Sequence, residues 1–198
     1  AYDFIEKPFN IDQLLVVIRR GMETSKLRRE NTELRRQDVK PAKMIGESAA
    51  FRTLMSNLDK VTKSNGRVMP TGPAGVGKDV AARYIHANSN RAAGPFVTVN
   101  CAGMDPDRVE ELLFGREGVD RSIEPGLLER ANGGVVYFDE VAYMPLVTQS
   151  KILRVLVDQQ FLRVGGVDKV RVELRVISST NRDLLDEIKE GRFREELY

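Results

Sequence analysis

A glycine-rich run followed at once by a lysine is the part of this sequence best suited to chemistry. The run reads Gly72-Pro73-Ala74-Gly75-Val76-Gly77-Lys78 and fits the spacing G-x-x-x-x-G-K. Glycines let backbone N–H groups turn towards a phosphate chain, and the lysine reaches the outer phosphate oxygens. Because a hydrophobic segment precedes the run and a helix-like pattern follows it, the sequence predicts a phosphate-binding loop. The alternative is a glycine-rich turn with a chance lysine.

Two residues beside this loop depart from the usual pattern. Asp79 stands where a serine or threonine would offer a hydroxyl to Mg²⁺, so a metal there needs another ligand or a water. Pro70 removes a backbone donor from the segment that would be a central strand. These departures leave open a distorted or weakened nucleotide site.

Two adjacent carboxylates follow a hydrophobic run and are candidates for metal binding and catalysis. The run Val135 to Phe138 is strand-like and ends in Asp139-Glu140. If a P-loop fold places this strand beside the strand that precedes the loop, Asp139 lies near Mg²⁺ and Glu140 can polarise an attacking water. Adjacent acids after a strand also serve as helix caps, so the pair taken alone leaves that alternative open.

A third strand-like segment also ends in polar residues. The segment Leu174 to Ser178 is followed by Ser179-Thr180-Asn181. An amide at the carboxyl edge of a neighbouring strand can donate a hydrogen bond to a terminal phosphate or to the attacking water. The alternative is a turn that merely uses Asn181.

The segments that must position these residues alternate between strand-like and helix-like patterns. β-branched runs predict strands at Phe96 to Val99, Val135 to Phe138 and Leu174 to Ser178. Apolar spacing predicts helices at Lys78 to Asn88, Asp107 to Phe114 and Gln149 to Gln159. Such alternation predicts an α/β fold with a mostly parallel, doubly wound sheet.

Composition and charge exclude several classes of protein. The 198 residues are 41% hydrophobic, so the chain can bury a core. The net charge is +2, so no strong overall electrostatic attraction draws the chain to nucleic acid or to a membrane. The apolar runs are too short to span a bilayer, no signal peptide is evident, and a cytoplasmic location is expected. One cysteine and one histidine exclude an intramolecular disulfide and a two-histidine metal site.

Four further residues are predicted to have no part in chemistry. His86 is expected to be a packed or partly exposed helix residue, and Cys101 a small core residue. Arg163 and Arg175 flank a glycine turn and are expected to be solvated, with contact to a neighbouring subunit as the alternative.

The first 42 residues read as a helix and a charged linker. Ile11, Leu14, Leu15 and Ile18 have helical spacing after a turn at Pro8. Residues 19–40 hold eight basic and four acidic residues, and Leu27 and Leu34 stand seven apart. This stretch predicts a solvated helical linker or a short coiled coil. Both ends of the sequence look cut, so a fragment of a longer protein is expected.

Together these motifs resemble the NtrC family of bacterial enhancer-binding response regulators, which carry a AAA+ ATPase between a receiver and a DNA-binding domain. Phe4 and Lys7-Pro8 resemble the end of a receiver. The resemblance therefore implies the C-terminal end of a receiver over 1–20, a helical linker over 21–42 and an incomplete AAA+ domain over 43–198. It also implies a P-loop AAA+ fold, ATP and Mg²⁺ as cofactors, and a dimer or ring of identical subunits.

The resemblance also implies a role for each matching residue. Ile45 and Gly46 would pack near adenine, and Asp139 would bind Mg²⁺. The phosphates would contact the loop residues Gly72, Pro73, Ala74, Gly75, Val76, Gly77, Lys78 and Asp79.

Four residues match catalytic positions of the family. Glu140 would activate water, and Asn100 would hold Glu140 in an inactive pose until triggered. Asn181 would contact the γ-phosphate or the water. Arg194, within Gly191 to Tyr198, would be an arginine finger that reaches the γ-phosphate bound by the neighbouring subunit.

One departure from the family concerns the loop that contacts the sigma-54 factor of RNA polymerase. Activators carry Gly-Ala-Phe-Thr-Gly-Ala there, whereas this chain has a shorter, charged connection from Arg116 to Gly126. Ordinary sigma-54 remodelling is therefore in doubt, and the resemblance is greatest to the NtrX branch, partner of a nitrogen-sensing histidine kinase. The expected function is the ATP-binding region of a nitrogen-related transcription regulator, with ATP hydrolysis. The alternative is a nucleotide-gated DNA-binding regulator that does not appreciably hydrolyse ATP.

Overall fold

The protein is described by a computed structural model that covers residues 44–198, so the predicted receiver end and linker lie outside the described residues. Six α-helices occur within this range: α1 (Ala49–Thr62), α2 (Lys78–Ala87), α3 (Val109–Phe114), α4 (Leu127–Arg130), α5 (Leu146–Asp158) and α6 (Leu184–Lys189). Seven strands occur in the same range: β1 (Phe96–Asn100), β2 (Gly115–Glu117), β3 (Ile123–Pro125), β4 (Val135–Asp139), β5 (Gln160–Leu162), β6 (Lys169–Arg171) and β7 (Arg175–Ser178). No helix among these residues is long and apolar enough to cross a membrane.

A parallel sheet in the order β1-β4-β7 confirms the predicted α/β class. The register places Asn100 opposite Asp139 and Phe138 opposite Ser178, so the ends of all three strands meet at one edge. The predicted strands agree with the observed bounds to within one residue, because β-branched runs favour extended backbone.

The segment before the glycine-rich loop lies beside β7, not beside β4. Val68 pairs in parallel with Ile177, and Thr71 with Thr180, as two isolated bridges. The predicted adjacency of the Asp139 strand and the loop strand is therefore wrong, because β7 lies between them. Pro70, which has no N–H to donate, lies between the two bridges and explains why this segment forms no regular strand.

The sheet is covered by helices on both faces, as the continuous apolar run of β4 requires. Val135 and Tyr137 of β4 pack in a cluster with residues of α1 and α2. Val136 and Phe138 face the opposite way, into the larger cluster built from α3 to α6. Successive strand residues point to opposite faces, so a strand buried on both sides is a continuous apolar run.

Two short antiparallel hairpins extend from the sheet. The hairpin of β2 and β3 includes most of the charged connection that begins at Arg116, and that of β5 and β6 follows α5. They meet where Glu117 N–H donates to Val164 and Val164 N–H donates to Gly115. Arg163 at this junction forms a two-bonded ion pair with Glu129, at 2.9 and 3.0 Å.

The prediction that Arg163 and Arg175 are solvated is wrong. Arg163 is largely covered in its pair with Glu129. Arg175 is only 2% exposed, and its guanidinium donates to the carbonyl of Val61 in the last turn of α1 and to that of Gly66 beyond it. Burial lowers the pKa of Arg175 below its ordinary value. Both arginines contact main-chain or acidic oxygens that the fold, not the local sequence, brings to them.

His86 and Cys101 are packed in the core, as the sequence predicts. The ring of His86 lies against Phe96, with Nε2 at 3.1 Å from the carbonyl oxygen of Gly94. Burial lowers the pKa of His86 below its ordinary value. Burial raises the pKa of the Cys101 thiol to about 12, so this thiol stays protonated.

Candidate functional site

The glycine-rich loop is an exposed turn that leads directly into α2. Gly75 and Gly77 have φ of +79° and +93°, in the left-handed region that glycine adopts without steric cost. Gly77 is the N-cap of α2, which begins at Lys78. The positive end of the helix dipole therefore faces the loop and favours an anion there.

Lys78 is a buried cation at the base of this loop. The residue is 8% exposed, and its Nζ donates to the carbonyl oxygens of Gly72 and Pro73 at 2.9 and 3.1 Å. Nζ also lies 3.0 Å from Oε1 of Glu140. The structure thus brings the loop and the catalytic candidate Glu140 together, although they are far apart in sequence.

Glu140 is fixed on both its main chain and its side chain. It has φ of +56°, an uncommon conformation for a residue with a side chain. Its Oε2 accepts a hydrogen bond from the N–H of Asn181 at 2.8 Å, and its own N–H donates to Oγ of Ser179 at 3.2 Å. Strained backbone of this kind persists where the surroundings over-determine it, and it is common at functional sites.

Asp139 lies beside Glu140 and is bound by two hydroxyl groups. Its Oδ1 accepts from Oη of Tyr137 at 2.9 Å and from Oγ of Ser179 at 2.6 Å. Burial raises the pKa of Tyr137 above its ordinary value, and the charges of Asp139 and Asp79 raise it further.

Tyr137 and Ser179 are site residues that the sequence analysis missed. Tyr137 reads there as one more apolar residue of a strand, and Ser179 as the start of a turn. A hydroxyl two residues before an acid on a strand lies on the same face as that acid, and this spacing is the signal that could have identified Tyr137.

Asn100 does not contact Glu140 in this structure. The side-chain oxygen of Asn100 accepts from the N–H of Ala102 at 3.0 Å and so caps the short 3₁₀ turn that follows β1. Among residues 44–198, the side-chain partners of Glu140 are Lys78 and the N–H of Asn181. The pairing of Asn100 with Glu140 that the resemblance implies is therefore not formed, although Asn100 lies opposite Asp139 in the sheet.

Asn181 reaches the site through its main chain, while its side chain is exposed. The adenine candidates both lie before α1: Ile45 is 84% exposed, and Gly46 lies against the ring of Phe51 in the first turn of that helix. A Cβ at Gly46 would approach that ring to 2.7 Å, so the close contact requires glycine.

Arg194 is exposed and is bound to α5, not to the acidic pair. Its N–H donates to Oε1 of Gln149 at 2.8 Å, and its Nε donates to the carbonyl of Leu146 at 3.4 Å. Gln149 is fully buried and also donates to the carbonyls of Met144 and Arg192. One amide thus connects the segment that follows Glu140 to the segment that carries Arg194.

The chemistry of the acidic pair fits Mg²⁺ bound together with a phosphate chain. Mg²⁺ in nucleotide sites is held by one or two carboxylates, by waters and by substrate phosphates, not by a cage made of protein alone. Asp139 supplies such a carboxylate. No group of three or more His, Cys, Asp or Glu residues within 44–198 could hold a metal ion by itself.

Comparison with known proteins agrees with this geometry. Residues 44–198 match the family model described as the sigma-54 interaction domain. The nitrogen assimilation regulatory protein NtrX of Azorhizobium caulinodans is 51% identical over 199 residues, covering 100% of this chain and 44% of that protein. The DNA-binding transcriptional regulator NtrC of Escherichia coli is 35% identical, covering 100% of this chain and 43% of that protein.

A solved structure of a relative is similar to this chain over its whole length. NtrX from Brucella abortus in complex with ATP superposes with a TM-score of 0.74 at 52% identity, covering 100% of this chain and 45% of that one. This chain spans less than half the length of the relatives it matches. The expected P-loop AAA+ class and the family resemblance are confirmed, and the chain belongs to the sigma-54 interaction domain family, among the NtrX- and NtrC-like response regulators.

Proposed function

We propose that this chain is the ATP-binding and ATP-hydrolysing region of a response regulator that controls nitrogen-related transcription. The observation that carries the proposal is the 3.0 Å ion pair between Lys78 of the glycine-rich loop and Glu140, beside the hydroxyl-bound Asp139. A buried cation, a metal-binding acid and a second acid at one sheet edge form the set that phosphoryl transfer to water needs. The NtrX relative solved with ATP supports the choice of nucleotide.

Nucleotide binding in this proposal uses the loop and the start of α2. Backbone N–H groups of the loop and the helix dipole attract the phosphates, and Lys78 neutralises the outer charge. A phosphate oxygen competes with the Glu140 carboxylate for Lys78. Both are anions, and the three protons of Nζ are already directed to Glu140 and to two loop carbonyls. Asp139 would hold Mg²⁺, which when bound neutralises charge that develops on the phosphates.

In the proposed hydrolysis, Glu140 is the base that activates the attacking water. A carboxylate that accepts from the N–H of Asn181 through one oxygen is fixed in orientation, and its other oxygen can accept a proton from water when phosphate displaces it from Lys78. Asn181, at the same edge, is proposed to contact the γ-phosphate or the attacking water. Asn100, opposite Asp139, is proposed to hold Glu140 in an inactive pose, a contact that this structure does not contain. Ile45 and Gly46 are proposed for the adenine side.

Turnover with Glu140→Gln tests this function. General-base catalysis contributes about 10²- to 10⁴-fold, so the variant should lose at least 100-fold in kcat while retaining ATP binding. Glu124→Gln is the matched control, because Glu124 is exposed on β3 away from the site. Equal turnover by the wild-type protein and Glu140→Gln would contradict hydrolysis and leave the non-hydrolysing alternative, in which nucleotide only gates DNA binding.

The site is proposed to be completed by Arg194 from a neighbouring subunit in a dimer or ring. Support comes from its exposure and from its attachment to α5, away from the acidic pair of its own chain. An arginine supplied in trans stabilises the charge of the transition state. Arg194→Ala and Lys78→Ala should each be inactive, and a mixture should recover turnover. A mixture as inactive as its two components would exclude a site completed in trans.

In the whole protein this region is proposed to act between a receiver phosphorylated by a sensor histidine kinase and a separate DNA-binding domain. The names of the NtrX and NtrC relatives support a role in nitrogen assimilation and transcription. The turn at 118–122 between β2 and β3 is closed by a bond from Gly118 N–H to the carbonyl of Ser122, and Val119 is fully exposed at its tip. This short tip has no Phe-Thr pair, so we propose that it does not contact sigma-54 in the manner of activators.

A further inference from the structure

We propose that Tyr137 and Ser179 are positioning residues for Asp139: their two hydroxyls bind one carboxylate oxygen and leave the other to face Mg²⁺. This inference rests on the proposed function, since it concerns how the metal is held beside the bound nucleotide. It adds two residues that the motifs of the loop and the acidic pair do not contain.

The hydrogen bonds around Asp139 are all on one oxygen. Oδ1 accepts from Oη of Tyr137 at 2.9 Å and from Oγ of Ser179 at 2.6 Å. Among the residues that the structure describes, Oδ2 accepts no hydrogen bond. Bonds to a charged acceptor are about twice as strong as neutral ones, so the orientation of this carboxylate is well determined.

The protons are sufficient for this arrangement. Each hydroxyl has one proton, and both can be donated to Oδ1 of Asp139. The lone pairs of Ser179 Oγ remain available for the N–H of Glu140 at 3.2 Å. The 3.0 Å separation of the two hydroxyl oxygens makes the three side chains one network.

Both hydroxyls are held by rigid surroundings. Tyr137 is 1% exposed, its ring stacks on Phe96 at 5.9 Å, and it packs in the cluster that contains α2. Ser179 is fully buried at the end of β7. The helix that begins at Lys78 and the acid that would bind the metal are therefore packed against the same tyrosine. Preorganised ligands of this kind lower the cost of binding a metal.

The two residues should differ in what they control. Within residues 44–198, the hydroxyl of Tyr137 bonds only to Asp139 and Ser179, so it acts on the metal-binding acid. Ser179 also accepts from the N–H of Glu140, so its hydroxyl acts on both acids. Removing Tyr137 Oη should weaken metal-dependent nucleotide binding, while removing Ser179 Oγ should also lower kcat.

The test compares Tyr137→Phe with Tyr84→Phe in the full chain. Tyr84 is the matched control: its Oη donates to Oδ1 of Asp59 at 2.7 Å on the exposed side of α1 and α2. Binding of a fluorescent methylanthraniloyl-ATP is measured with Mg²⁺ and with EDTA. The ratio of the two affinities separates the contribution of Mg²⁺ to nucleotide binding from the contribution of the glycine-rich loop. It does not depend on turnover.

In Tyr137→Phe the ratio of the affinity with Mg²⁺ to the affinity in EDTA should be about tenfold smaller than in the wild-type protein. Residues that hydrogen-bond to a metal ligand contribute about 10- to 100-fold to metal affinity. Binding in EDTA should stay within about twofold, and Tyr84→Phe should match the wild-type protein. Ser179→Ala should lose the same Mg²⁺ effect and also lower kcat. If Tyr137→Phe keeps the full Mg²⁺ effect while folded by circular dichroism, the positioning role is wrong. If the wild-type protein binds no nucleotide, the proposed function fails, and this inference with it.

Discussion

Replacing Gln149 by leucine should destabilise the fold and loosen the segment that carries Arg194. The buried amide makes three hydrogen bonds: to the carbonyl of Met144 at 2.8 Å, to the carbonyl of Arg192 at 3.0 Å and from the N–H of Arg194 at 2.8 Å. Leucine has a similar size and good helix propensity, so the change mainly removes these bonds.

The size of the destabilisation depends on whether each of the three backbone groups can find another hydrogen-bond partner once the amide is gone. The carbonyl of Met144 is buried and loses its partner, which costs about 1–3 kcal/mol. The groups of Arg192 and Arg194 are partly buried and regain water, so each costs about 0.5–1 kcal/mol. The total is about 2–5 kcal/mol. With a urea m-value of about 2 kcal/mol per M, the unfolding midpoint should fall by about 1–2.5 M.

The measurement is urea unfolding followed by circular dichroism, since the chain has no tryptophan. Ser150→Ala is the control: it removes one exposed hydrogen bond on the same helix and should change stability by less than about 0.5 kcal/mol. Turnover should fall in Gln149→Leu and not in Ser150→Ala, because of these two side chains only that of Gln149 binds the Arg194 segment. A midpoint within 0.3 M of wild type, on the order of 0.6 kcal/mol at that m-value, would refute this account of Gln149.

Three further results are expected. Burial lowers the pKa of His86 in the folded chain below the ordinary value of about 6.5, so the folded chain binds fewer protons than the unfolded chain as the pH falls past that value. Stability should therefore fall as the pH drops below about 6.5, and His86→Gln should flatten that slope in urea titrations. The Cys101 thiol, with a pKa of about 12, should not react with a thiol reagent at pH 8 until urea unfolds the chain; full reaction in the absence of urea would contradict its burial. Arg163→Met should lower the melting temperature more than Arg121→Met, because only Arg163 pairs with a carboxylate through two bonds; equal melting temperatures would count against that pair.

Local patterns in the sequence were enough to predict the elements that carry the site. The glycine spacing predicts the loop and the start of α2 at Lys78, and β-branched runs predict β1, β4 and β7. These features depend on residues close together in the chain, so a single sequence contains them.

Features set by the packing of distant segments were not predicted. Which strand lies beside the loop depends on the crossover connections, and the sequence contains no local signal that β7 comes between. The burial of Arg175 depends on carbonyls at the end of α1, more than 100 residues earlier. Tyr137 binds Asp139 together with Ser179, which directly follows β7, and that pairing exists only in the folded sheet.

The most direct test of the central claim is equilibrium binding of ATP with Lys78→Met and Lys151→Met as a pair. Lys78 is the buried cation between the loop carbonyls and Glu140, whereas Lys151 is a half-exposed lysine paired with Glu110 on α3. A charge-assisted bond contributes about 1.5–3 kcal/mol, so Lys78→Met should bind ATP about 10- to 100-fold more weakly while Lys151→Met binds as wild type does. Equal affinity in all three proteins would contradict a nucleotide site at this loop.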